Sequence, residues 1–449
     1  MSDEPVPLVP FHQAFRTWLR VALLSFGGPA GQIAVMHRIL VEEKRWIGES
    51  RFLHALNYCM LLPGPEAHEL AIYIGWLLHR IRGGLVAGIL FVLPGLIVLT
   101  AVSVVYVEFG RFGMVQGIFF GLKSAVLAVV LEAVVRVGRR ALKTRGLVAI
   151  AAAAFVAIFV FGVPFPLIIL AAALIGYLGS IARLKSFVGP GKGDIDPELN
   201  RLVPPHVQPS IRRLLITAAI GALIWLAPAI VLLAIAGPSS VFTSIALFNS
   251  KMAVVTFGGA YAVLAYMAQQ AVQHYHWLRP GEMLVGLGFA ETTPGPLISV
   301  VQFVGFMAAY RQPGTLQPVV AAVLGGCLAM WSTFVPPFIW IFAGGPYIEA
   351  LTGKRSVNAA MSGITAAVVG VILNLAIWFG LHTLFRQMHE LRVWRLTLEV
   401  PVPASVSLPA LLSAAAAMIA LLRFKRGILP VLGASCLAGA IWYAASGTA

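Results

Sequence analysis

The chain has 449 residues, 59% hydrophobic and 11% charged, with a formal net charge of +15 and a mean hydropathy of +0.89. A water-soluble globular domain carries about 25% charged residues, so this composition excludes that class and marks an integral membrane protein. The basic excess lies mostly in loops between apolar runs, which assigns it to topology and lipid headgroups rather than to nucleic acid.

The first residues, Met1-Ser2-Asp3-Glu4-Pro5, lack the basic start of a cleaved signal peptide, so the first membrane helix is expected to serve as an uncleaved insertion signal. Apolar runs of about 20 residues between short basic loops predict helices rather than a barrel. Spans are predicted over 15–36, 53–79, 85–107, 113–137, 147–162 and 164–182. Others follow over 212–236, 243–271, 283–310, 317–344, 356–385, 405–422 and 427–446. The fifth and sixth are separated only by Gly162-Val163-Pro164 and read as a tight hairpin. The second contains Pro63-Gly64-Pro65, a helix break that also permits a re-entrant path. The polar stretch 183–213, rich in Gly, Pro and charge, reads as a cytoplasmic linker. An N-terminus in the cytoplasm and a C-terminus outside put roughly two-thirds of the Lys and Arg on the inner face. Cys59, Cys327 and Cys436 each sit alone in an apolar run, so neither a disulfide nor a cysteine metal site is expected.

The second half echoes the first at an offset of 231: Phe26-Gly27-Gly28 matches Phe257-Gly258-Gly259, Trp46 matches Trp277, and Pro63-Gly64-Pro65 matches Pro294-Gly295-Pro296. Farther on the offset is 242, pairing Pro94 with Pro336 and Gly121 with Gly363, which fits an insertion near 311–318. Six spans and a connecting seventh precede the second unit, so it inserts upside down. The expected fold is an all-α polytopic membrane protein of about 13 transmembrane helices in two inverted-topology repeats with broken or re-entrant helices. The repeats are expected at 12–185 and 243–449, with the linker and connecting helix at 186–242.

Paired breaks at matching places in two halves point to a transporter binding site. Gly27 and Gly28, with Gly258 and Gly259, let backbone approach a ligand, and a half-helix beginning there aims N–H groups at an anion. The same glycines also suit close helix packing. After Pro65, Glu66, His68 and Glu69 occupy a first helical turn; Glu66 and Glu69 share a face and are candidates for proton linkage. In the second half Glu291 precedes the break and is the third such candidate, while Thr292 and Thr293 offer hydroxyls to an oxyanion. Lys123, in an apolar span, is either a counter-charge or a snorkelling lysine. Arg20 and Lys251 precede the two Gly-Gly motifs as anion attractors. Glu132 and Arg136 are expected to form a helix salt bridge, and His274 and His276 are not expected to bind metal. No nucleotide loop, metal-binding motif or nucleophile elbow is present, so ATP hydrolysis, enzymatic activity and a cofactor are not expected.

These motifs resemble the chromate ion transporter family in its long, two-domain form. The resemblance rests on Ser25-Phe26-Gly27-Gly28-Pro29, Leu61-Leu62-Pro63-Gly64-Pro65-Glu66-Ala67, Ala71-Ile72-Tyr73-Ile74-Gly75-Trp76, Phe257-Gly258-Gly259-Ala260-Tyr261 and Ala290-Glu291-Thr292-Thr293-Pro294-Gly295-Pro296-Leu297. Thr333-Phe334-Val335-Pro336 and Asn358-Ala359-Ala360 continue it, so it covers nearly the whole chain. It implies chromate efflux across the cytoplasmic membrane, driven by the membrane gradient and conferring chromate resistance. The chain departs from the family pattern at His68 and Glu69, where Gln or Met and then Gln are usual, at Ala265 for proline and at Pro337 for cysteine.

The sequence therefore reads as a gradient-driven exporter of chromate, binding it at Gly27, Gly28, Pro63, Gly64, Pro65, Lys123, Lys251, Gly258, Gly259, Thr292, Thr293, Pro294, Gly295 and Pro296. Sulfate or another oxyanion is the runner-up cargo, and a membrane scaffold without transport is the alternative from another class. Expected partners are the oxyanion, membrane lipids and, as an option, a second copy of the chain.

Overall fold

A computed structural model describes residues 9–26, 28–110, 112–183, 209–257, 260–279, 281–347, 355–393 and 396–447. Gly27, Gly258, Gly259 and most of the expected 183–213 linker lie outside the described residues.

Helices carry the fold. The first half holds α1 (Phe11–Leu24), α2 (Gly28–His37), α3 (Glu49–Cys59), α4 (Glu66–Phe109), α5 (Gly113–Ala141), α6 (Arg145–Phe159) and α7 (Phe165–Ile181). Helix α8 (Ile211–Ala236) follows. The remainder comprises α9 (Val241–Val255), α10 (Ala260–Gln269), α11 (Glu282–Thr292), α12 (Val300–Arg311), α13 (Pro318–Gly344), α14 (Arg355–Leu384), α15 (Leu408–Leu422) and α16 (Ile428–Ser446). Prolines in the first turn start α7, α13 and α15, where a missing N–H costs nothing. Among the described residues six helices are long and apolar enough to cross a bilayer: α4, α5, α8, α13, α14 and α16.

The expected spans divide into kinds. Those at 15–36, 53–79, 243–271 and 283–310 are each broken into shorter helices, and these are the four that carry the Gly-Gly and Pro-Gly-Pro motifs. Helix α4 is a hairpin: His79 (φ −137°, ψ 30°) and Arg80 (φ 53°, ψ −148°) turn the chain, and Gly75 and Gly83 bring its arms together. Its second arm, 81–109, is the long one. In the second half a loop between α12 and α13 replaces that turn, and Gly305 meets Gly325 across the two helices. This loop falls where the offset changes.

Backbone detail follows the 231 offset closely. A π-helical turn ends α2 at Arg38–Glu43 and α10 at Gln270–His274. Trp46 N–H donates to Leu40 O, and Trp277 N–H to Ala271 O. The residues just before these tryptophans, Arg45 (φ 52°) and His276 (φ 54°), share a left-handed conformation.

One stretch departs from an all-helical reading. Between the predicted spans 356–385 and 405–422 the chain forms an antiparallel hairpin of β1 (Met388–Val393) and β2 (Leu396–Pro401), in register Met388↔Pro401 to Val393↔Leu396.

The chain divides into two compact units, each drawing on both halves of the sequence. The first comprises Met1–Ala101, Pro190–Val263 and Thr293–Val357; part of its core is Trp18, Phe52, Leu70, Ile72, Phe91 and Ile341. The second comprises Val102–Gly189, Leu264–Thr292 and Asn358–Ala449. There α5 packs on α16 through Gly117 against Gly439, and α7 on α14 through Gly176 and Gly363. Small residues at such crossings are how helices associate without a hydrophobic drive.

Candidate functional site

The first unit brings together both Pro-Gly-Pro breaks and the ends of both preceding half-helices. Helix α1 stops at Ser25, whose hydroxyl donates back to Val21 O at 2.7 Å. Helix α9 stops at Thr256, whose hydroxyl donates to Met252 O at 2.6 Å. These side chains satisfy one terminal carbonyl each and leave the Ser25 and Thr256 carbonyls directed outward.

Those carbonyls close the breaks crosswise. Gly64 N–H donates to Thr256 O at 2.9 Å, and Gly295 N–H donates to Ser25 O at 2.8 Å. Gly64 (φ +154°) and Gly295 (φ +113°) hold backbone conformations that favour glycine. The crossing extends to the long helices. A Cβ on Gly64 would lie 3.5 Å from Pro337 Cγ, and one on Gly295 would lie 3.7 Å from Gly95 Cα. Positions 95 and 337 correspond under the 242 offset. Each break is thus held by a half-helix end and a long helix from the other half of the sequence.

The two breaks differ in their side chains. At the second, Gln32 of α2 donates from Nε2 to Gly295 O, so both polar groups of the Gly295 peptide backbone are engaged. The position matching Gln32 is Val263. At the first break the polar groups are His68 and Glu69, both fully buried. Their counterparts are Ser299 and Val300. The His68 ring lies among Phe91, Phe334 and Phe338, with centroids 5.2 to 6.3 Å away. Glu69 turns back along its helix so that Oε1 occupies the space a side chain on Gly64 would fill. Neither of its oxygens has a hydrogen-bond partner among the described residues.

The remaining expected site residues distribute as follows. Pro63 and Pro294 are half-buried; Pro65 and Pro296 are buried. Gly28 (φ +74°) opens α2, is buried, and faces open space where its Cβ would be. Glu66 is half-buried at the start of α4. Thr293 is buried in the first unit. Lys251 is exposed on α9. Arg20 is exposed and paired with Glu43 at 2.7 Å.

Glu291 and Thr292 end α11 in the second unit, where the Thr292 hydroxyl is within 3.0 Å of Gly288 O and Phe289 O. Its one proton is engaged by its own helix. Lys123 also belongs to the second unit: a Cβ on Gly281 would lie 3.2 Å from its Nζ, and Glu282 acts on it electrostatically. Glu282 is itself held by Arg279 N–H at 2.7 Å and by the Tyr106 hydroxyl at 3.3 Å. Glu132 and Arg136 form the expected helix salt bridge at 3.2 Å. Outside the spans, His276 Nδ1 meets Val272 O, and burial pushes the Tyr275 phenol above its usual range.

The sequence reading missed Gln32, Gly95 and the role of Pro337. The replacement of Gln32 by Val263 at the repeat offset was the one available signal for the first.

Comparison with known proteins assigns the fold a lineage. The sequence model described as "Chromate transporter" matches residues 12–177 and 243–440. The chain belongs to the chromate transporter family. A chromate transport protein of Pseudomonas aeruginosa is 30% identical over 376 residues, 83% of this chain and 81% of that protein. One from Cupriavidus metallidurans is 25% identical over 84% of each chain. A probable chromate transport protein of Synechococcus elongatus is 24% identical over 90% of this chain and 95% of its own. No solved structure matches. Within the chromate transporter family this chain is a polytopic, all-α membrane protein whose matched regions each contain one Phe-Gly-Gly and one Pro-Gly-Pro motif.

Proposed function

We propose that this chain is a secondary active transporter that exports chromate across the cytoplasmic membrane and so confers chromate resistance. The observation that carries the reading is the crosswise closure of Gly64 on Thr256 O and Gly295 on Ser25 O within one compact unit. Irregular backbone at membrane depth persists where it is buried in protein or lines a polar path, and half-helix N-termini there favour anions. The helices that start beside these breaks, α2 and the first arm of α4, supply such termini, and buried Gly28 leaves space for an approaching oxygen. Backbone N–H groups replace part of the hydration of a tetrahedral dianion. The family relatives named for chromate transport supply the cargo.

The two repeats, taken as 12–185 and 243–449, are inverted relative to each other, with the N-terminus in the cytoplasm and the C-terminus outside. The matched regions 12–177 and 243–440 and the repeated π-turns support two equivalent repeats. An inside-negative potential then drives the dianion outward, each charge worth about 2.3 kcal/mol per 100 mV.

The test is uptake of radiolabelled chromate into energised everted vesicles, with sulfate as competitor and with the gradient collapsed. Gradient-dependent accumulation is expected; no accumulation under any gradient sinks the proposal. Displacement by equimolar sulfate would reassign the cargo to oxyanions in general. Cysteine labelling should place sites near Val41 and Arg279 on opposite membrane faces, and labelling on one face would refute the inversion.

A further inference from the structure

We propose that Glu69 is the proton-linked residue of the first break, so that an oxyanion binds there only while the Glu69 carboxyl carries a proton. This rests on the oxyanion reading above and narrows three acidic candidates to one. Glu66 is half-buried at the helix start. Glu291 ends α11 in the other unit and has an interaction of its own. Glu69 is fully buried, has no hydrogen-bond partner among the described residues for either oxygen, and points at the break itself.

The geometry dictates the linkage. Glu69 Oε1 lies against Gly64, the residue whose N–H closes the break on Thr256 O. An oxyanion drawn to the N-terminal turn of α4 meets that carboxyl at close range. Two negative charges at such a distance in a low-dielectric setting repel strongly, so an ionised Glu69 and a bound dianion exclude each other. Protonation resolves the conflict: the carboxylate takes one proton, becomes an acid, and its O–H donates to an anion oxygen. When the anion leaves, the carboxyl returns to Gly64.

The groups facing Glu69 do not offer another route. On its own helix Glu66 is acidic, and the adjacent His68 is enclosed by Phe91, Phe334 and Phe338. From α3, Tyr58 and Cys59 come within electrostatic range. The α13 residues nearby, Phe334, Pro337 and Phe338, are not titratable. Among the described residues, Glu66 is the charged group that acts on it most directly. The second break lacks the device, because Val300 stands at the matching position and Gln32 already holds Gly295 O. One such carboxyl for the two breaks follows from this asymmetry.

The experiment measures sulfate binding to the purified full-length protein in detergent by intrinsic tryptophan fluorescence across pH 5.5–9, where sulfate stays a dianion, with chromate flux in vesicles alongside. Wild-type affinity should fall about tenfold per pH unit through the range where Glu69 loses its proton, as one linked proton requires. Glu69→Gln, which cannot ionise, should hold its affinity constant within about twofold over that range. Glu66→Gln should keep the wild-type slope. A Glu69→Gln slope equal to wild type, or a slope abolished by Glu66→Gln instead, overturns the inference while leaving oxyanion transport standing. No sulfate or chromate binding and no flux in the wild type at any pH overturns the transport reading and this inference with it. If Glu69→Gln does not insert, Glu69→Asp serves: it keeps an acid and should keep the slope, and a flat profile there overturns the proposal.

Discussion

Replacing Gly295 by alanine tests the crosswise closure directly. Gly295 sits at φ +113°, which an L side chain adopts only under strain of about 1–3 kcal/mol. The added Cβ would lie 3.3 Å from Phe91 O and 3.7 Å from Gly95 Cα, tight enough to push the second arm of α4 by a few tenths of an ångström. Relaxing φ instead swings the N–H away from Ser25 O and loses a bond of about 1 kcal/mol. Whichever route the chain takes, the loss of stability is about 1–3 kcal/mol. Gly433→Ala is the control: Gly433 is exposed on α16 with nothing within 4 Å of a Cβ, and alanine is the better helix former by about 1 kcal/mol. The assay is the thermal unfolding midpoint of both purified variants in detergent, followed by gel filtration. Gly295→Ala should unfold well below the wild type, and Gly433→Ala at or above it. A Gly295→Ala midpoint equal to the wild type would refute the claim that the second break is held closed by Ser25.

Gln32→Leu strands Gly295 O in a buried setting and should lower the midpoint by the equivalent of about 1–3 kcal/mol, whereas Val263→Ala at the matching position leaves no polar atom stranded; equal polar-bond losses inferred from a double-variant comparison would count against the asymmetry. Glu282→Ala removes the acceptor for Arg279 N–H and the Tyr106 hydroxyl and should cost about 1.5–3 kcal/mol, read by the same midpoint; no change would mean those bonds are not made. Arg20→Ala breaks an exposed ion pair and should cost less than about 1 kcal/mol, fading at high salt; a loss that persists in high salt would show a buried role instead.

Much of the site was legible because glycine, proline and tryptophan leave positional marks. Two breaks in one register at an offset of 231 could be read without any coordinates, and the π-turns before Trp46 and Trp277 show how far that register reaches into the backbone. What stayed hidden depends on tertiary contact. Sequence placed Glu66, Glu69 and Glu291 on equal terms, because burial and partners are properties of the packed chain. It named Arg20 and Lys251 as anion attractors from their spacing, yet both are exposed and Arg20 is engaged by Glu43, 23 residues away. The β-hairpin lies between predicted spans and was missed although Leu391, Val393, Leu396, Leu398 and Val400 alternate with polar residues over part of each strand, a period-two signal too short beside the membrane helices to stand out.

The crosswise closure also fixes an order of events during synthesis. Gly64 leaves the ribosome 192 residues before Thr256, the carbonyl it will bond. At about 5–20 residues per second that interval is about 10–40 s, far longer than helix formation or loop closure takes. Throughout it the first break is in the bilayer with its N–H unclaimed by its eventual partner. The nascent first half must therefore be sheltered by lipid headgroups, water or the insertion machinery, and the last helices to enter complete a structure that the first ones began.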